Sequence, residues 1–119
     1  MSLEKNYFVI IGYNIMDYIT DKFSNWVDTE EFEKYAYNHN VNTIQLFNDP
    51  VGGCHLYFGK IIAMGDEYSF ENSSFDINEL YKAKDEVIEE VLNLNTKGIF
   101  KDIFNLLDKM QIITFMECY

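Results

Sequence analysis

The amino-acid sequence predicts an α+β domain: a mostly antiparallel sheet of four to five strands with two to three helices packed on one face. Three observations carry this reading. Short β-branched and aromatic runs recur between turn residues. Two segments open on an acid-led capping box and continue with apolar residues at helical spacing. The resulting order, β-α-β-β-(β)-α-α-β, is that of a mostly antiparallel sheet with helices on one side. A chain of 119 residues fits a single domain spanning 1–119, and it shows no internal repeat and no low-complexity linker.

Residues Tyr7 to Tyr13 (YFVIIGY) are apolar on both faces, the mark of a central strand. Asn14 to Val27 is irregular, with Tyr18, Phe23 and Trp26 among polar residues, and at that length it reads as a packed surface flap or a contact region. Asp28 with Glu31 three residues later makes the first capping box. Phe32, Tyr35 and Ala36 follow at helical spacing, so a short helix covers Asp28 to Asn38. Thr43 to Asn48 is a strand, Asp49 to Gly53 (DPVGG) a turn, and Cys54 to Met64 a longer strand that pairs back as a hairpin. Gly59, inside that strand, implies a bulge or a close backbone approach. Tyr68 to Ser74 reads as an edge strand. Asp76 with Glu79 then opens the longest helix, about Asp76 to Leu94, with Ile77, Leu80, Tyr81, Val87, Ile88, Val91 and Leu92 on one apolar stripe. Thr96 caps a third helix that buries Ile99, Phe100, Ile103, Phe104, Leu107 and Met110, and Gln111 to Glu117 closes the sheet.

Apolar residues make up 48% of the chain and aromatics 17%, enough to build a core and to leave some rings exposed. Charge says more about partners. Twenty Asp and Glu oppose nine basic residues, all of them Lys, for a net charge of -11. Without arginine, the usual bidentate grip on phosphate is missing, and the net charge repels nucleic acid and anionic membrane. A basic protein surface or a cation is the partner such a field attracts, and solubility is the function-free alternative. Cys54 and Cys118 form no CxxC pair, and no segment is apolar over the ~18 residues of a membrane span or of a secretory leader's kind. The expectation is a reduced, cytoplasmic protein.

The segments YFVIIGYN (Tyr7–Asn14) and IQLFNDPVGGCHLYFGKIIAMGDEY (Ile44–Tyr68) resemble short uncharacterised proteins of phages and prophages in low-GC Gram-positive bacteria. The resemblance covers about half the chain and implies no activity and no functional residue. It supplies a setting, since small acidic proteins of mobile elements often inhibit host defence or nucleic-acid enzymes, and it would place this one in the host cytoplasm.

At ~100° per residue, Asn78, Glu79, Lys82, Asp85, Glu86, Glu89, Glu90 and Asn93 share the polar arc of the long helix. Like charges at i,i+4, such as Asp85 with Glu89 and Glu86 with Glu90, cost a few tenths of a kcal/mol each, roughly 5–6 Å apart at Cβ. That spacing is comparable to successive phosphates, so Glu79, Asp85, Glu86, Glu89 and Glu90 are the candidate face for a basic, nucleic-acid-binding cleft. A solvated helix face is the competing explanation. Asp28, Glu30, Glu31 and Glu33 sit in a first helical turn, where acids complement the macrodipole. Lys84, near the middle of the apolar stripe, is expected to snorkel along the core edge.

Catalytic readings are weaker. Cys54 and His55 are adjacent in a strand and point to opposite faces, which argues against a shared ion. Neither spacing nor pattern supports a Cys–His pair with His39, and Asp66, Glu67 and Glu71 lack an EF-hand's ligand alternation. No Walker loop, GxGxxG or GxSxG is present. The sequence thus points to a non-catalytic acidic inhibitor or decoy with no cofactor and no metal, binding a basic protein partner through the long helix. Tyr18, Phe23 and Trp26 are the candidate aromatic anchors. A toxin-neutralising immunity protein would look the same. The alternatives are a homo-oligomeric structural subunit and a small-ligand or metal-dependent enzyme around Cys54, His55 and the acidic turn.

Overall fold

The structure is a computed structural model that describes residues 5–21, 35, 40–49, 55–66, 68, 70–71 and 76–118. Its elements are β1 (Lys5–Asn14), β2 (Ile44–Asp49), β3 (His55–Asp66), β4 (Phe70–Glu71), α1 (Ile77–Asn95), α2 (Ile103–Leu107) and β5 (Gln111–Cys118), with a 3-10 turn at Met16–Tyr18. The α+β class stands. All strands pair antiparallel in the order β2-β3-β1-β5, and β4 adds two residues to the end of β3. Among the described residues two α-helices occur, one of them a single turn. Of the predicted helix over Asp28 to Asn38 only Tyr35 lies within the described residues, in a turn, and of the predicted turn Asp49 to Gly53 only Asp49 does, as the end of β2.

β1 is central, as its two apolar faces require. It pairs with β3 from Asn6↔Asp66 to Asn14↔Tyr57 and with β5 from Lys5↔Cys118 to Gly12↔Gln111. The glycine inside β3 marks a close approach. Gly59 lies opposite Gly12, where a Cβ at Gly12 would overlap the carbonyl oxygen of Phe58 and one at Gly59 that of Ile11. The bulge falls elsewhere, between Val9 and Ile10, where Ile62 is the unmatched residue on β3.

Each face of the sheet carries a core. On one side Phe8, Ile10, Phe47, Ile61 and Ile113 are buried together, with Phe8, Phe47 and Phe115 in ring contact at 4.8–5.4 Å between centroids. The other side carries α1. Leu80 and Ala83 pack on Ile11 and Ile62, while Val87, Val91 and Leu94 join Tyr13, Ile15, Leu56 and Phe58. Asp76 caps α1, its carboxylate accepting from the Asn78 backbone N–H at 3.2 Å.

The packing stripe of α1 differs from the expected one. Leu80, Val87 and Val91 do face the sheet, joined by Ala83 and Leu94, but Ile77, Tyr81 and Leu92 are 62%, 59% and 44% exposed. The apolar arc of the sequence is wider than one sheet face can cover. Two polar contacts settle the helix rotation: Glu86 is ion-paired with Lys60 of β3, and Glu90 accepts a 2.6 Å hydrogen bond from Tyr35. Both draw the same flank of the helix towards β2 and turn Ile77, Tyr81 and Leu92 away.

The predicted third helix is also revised. Thr96 ends α1, donating from Oγ1 to the Asn93 carbonyl at 2.6 Å, and does not open a new helix. Gly98 (φ 77°) and Asp102 (φ 55°) take left-handed backbone, which breaks helical continuity. The segment between them pairs with the turn after β1: Thr20 N–H donates to Ile99 O at 2.9 Å and Lys101 N–H to Tyr18 O at 2.8 Å. Ile99, Phe100 and Leu106 are buried, Ile103, Leu107 and Met110 are half-buried, and Phe104 is exposed.

Candidate interaction surface

The five acidic residues singled out on the long helix do not form one uniform face. Helical geometry sets Glu86 and Glu90 on the flank nearest the sheet, where each is half-buried. Lys60, itself half-buried, meets Glu86, so this pair is internally neutralised. Glu90 serves Tyr35, whose ring stands edge-on to Phe58 at 5.0 Å and whose carbonyl accepts from the Leu46 N–H. Glu79, Asp85 and Glu89 are exposed and point to solvent. Lys82 lies beside Asp85 and Glu89, whereas Glu79 is in line with Glu86 and Glu90, and Lys84 is exposed rather than drawn along the core edge, because the helix rotation lifts its position clear of the sheet.

The tyrosines under this helix have perturbed acidity. Burial, then the nearby Asp108 carboxylate, pushes the Tyr13 hydroxyl up to about 12, and that hydroxyl donates to the Leu107 carbonyl at 3.2 Å. Burial raises Tyr35 as well, reinforced by its bond to Glu90. Both rings therefore stay neutral hydrogen-bond donors across the physiological range.

The expected aromatic anchors divide. Tyr18 is half-buried against the main core instead of standing free, because the bridge between Ile19 and Phe100 holds the turn onto the α1 side. Phe23 and Trp26 lie outside the described residues, as do Asp28, Glu30, Glu31, Glu33, His39 and Cys54. Cys118 ends β5. His55 is half-buried in β3, stacked on Tyr57 at 5.4 Å, and its Nδ1 accepts from the Asn14 amide at 2.9 Å. The Asn14 Oδ1 accepts from the Leu56 and Met16 N–H groups, which fixes the amide orientation and occupies that ring nitrogen structurally. Asp66 is exposed and accepts from the Tyr68 N–H at 2.8 Å, a turn contact. Among the described residues no three His, Cys, Asp or Glu side chains converge on a point that could hold a metal ion, and no helix is long and apolar enough to cross a membrane. No family model, no curated protein and no solved structure matches this chain.

A surface that the sequence reading missed lies at the β5 edge. An open hollow of about 320 Å³ runs along β1 and β5, lined by Tyr7, Phe8, Val9, Thr114, Phe115 and Met116. Ile112 is 53% and Met116 45% exposed. The signal was present in QIITFME, whose alternate positions are all apolar or uncharged up to the glutamate, but a strand's place at a sheet edge is a property of topology.

Proposed function

We propose that this is a non-catalytic acidic binding protein that occludes a basic, nucleic-acid-binding surface on a defence protein, nuclease or toxin. The setting this reading fits is a phage or other mobile element. The observation that supports it is the outward arc of α1, where Asp85 and Glu89 are exposed beside Lys82, with Glu79 exposed in the first turn on the flank of Glu86 and Glu90. With a net charge of -11 and no arginine, the long-range field favours a cationic partner and speeds its encounter. Glu86 and Glu90 support the site from beneath by fixing the helix rotation, and they are not themselves the contact surface.

The test reverses only the free carboxylates. The immobilised wild-type protein is expected to retain, from lysate of its native host, a basic protein that both added duplex DNA and raised salt displace. Asp85→Lys combined with Glu89→Lys should lose that protein while keeping the helical circular-dichroism signal. Retention unaffected by the charge reversal, or by competing DNA, refutes the reading.

A further inference from the structure

We infer that β5 is a dimerisation edge: a second copy of this chain adds its own β5 antiparallel to the first, extending the sheet across a two-fold axis. Among the described residues β5 pairs only with β1, so its outer backbone donors and acceptors face away from the sheet. Such a row is satisfied by water or by another strand. Edge strands that must stay single usually carry Lys, Pro or a bulge. Among the described side chains of β5 the exposed ones are Gln111, Ile112, Thr114 and Met116, all uncharged, and the β1–β5 register is unbroken.

The layer above the edge points the same way. Glu86 and Glu90 turn one flank of α1 towards β2, so the opposite flank overlooks β5. That flank carries the exposed Ile77, Tyr81 and Leu92, with Ile88 between them, all within roughly 60° of arc. Beneath it, Ile112 and Met116 lie opposite Ile11 and Tyr7 and therefore on the α1 face of the sheet. Among the described residues one helix covers β1 and β3 and none lies over β5. A two-fold about the edge would set a second helix across the gap and bury both apolar ridges over the two joined strands.

Charge and area fit a second copy. This apolar flank of α1 carries one exposed ion, Lys84, and Asp85 borders it at the rim of the outward arc, so no surplus of like charge lies on the ridge itself. The five exposed apolar side chains bring on the order of 100 Å² each. With the paired backbones they approach the ~800 Å² per partner of a specific interface.

Sedimentation equilibrium over a wide concentration range tests this. The wild-type chain should pass from monomer to dimer as concentration rises, and more readily at raised salt, because two chains of like charge repel. Ile112→Lys and Thr114→Lys, both at exposed positions, should each weaken association at least about tenfold. Hydrogen exchange of the wild-type protein gives the independent readout: β5 amides should gain protection with concentration, and those of β2 should not. A monomer at all concentrations overturns the proposal. So does a dimer that survives both lysines, or one whose protection appears away from β5. Salt separates this association from capture of a basic partner, which salt weakens.

Discussion

At the scale of single residues, the clearest chemistry is that of Tyr13 and Tyr35. Unfolded tyrosines ionise near 10, whereas burial and neighbouring carboxylates hold both of these rings protonated well beyond that. Above pH 10 the open chain releases protons that the folded protein keeps. Their stabilising contribution is therefore complete below pH 10 and is lost as pH rises towards about 12, the value for Tyr13. Absorbance titration should show Tyr13 and Tyr35 ionising late. In Tyr13→Phe with Tyr35→Phe, the denaturant midpoint should fall less steeply between pH 10 and 12 than in the wild type. None of this was legible in the sequence. Tyr35 sits among charged residues and gave no sign that its hydroxyl would reach Glu90. Lys60 likewise carries no mark of pairing with Glu86, because both contacts span distances set by the fold.

At the scale of elements, the strands were readable and the helix faces were not. Alternation and β-branching located β1, β2, β3 and β5 to within two residues at each end, and the acid at position 76 located the start of α1. These are local signals, written in consecutive residues. The rotation of α1 and the shortening of the third predicted helix to Ile103–Leu107 depend on partners distant in sequence. Gly12 and Gly59 are a case between the two: the sequence announced a tight place in β3, and only the register shows that two glycines meet. That contact makes a prediction about the β1–β3 pair. Gly12→Ala must push the strands apart or distort the Phe58 carbonyl, and it should cost about 1–3 kcal/mol in a denaturant melt. Gly98→Ala, where a Cβ meets nothing, should cost less and only through its left-handed φ.

At the scale of the whole molecule, charge is the dominant variable. A net charge of -11 on 119 residues works against compaction, and mobile ions screen it over ~10 Å at 0.1 M salt. Thermal stability should therefore rise as sodium chloride is brought from a few millimolar to that range, and a melting temperature that falls would show that attractive pairs outweigh the repulsion. The candidate site was half-legible at this scale. Composition foretold an acidic protein and helical periodicity found its acidic arc, whereas the open edge of β5 emerges only from strand order. That same strand order bears on synthesis. β1 is made before every other described element, yet one of its two neighbours, β5, is made after all of them. Until then one side of this apolar strand lacks its cover, so the nascent chain passes through a sticky stage that lasts while all the described elements in between are made.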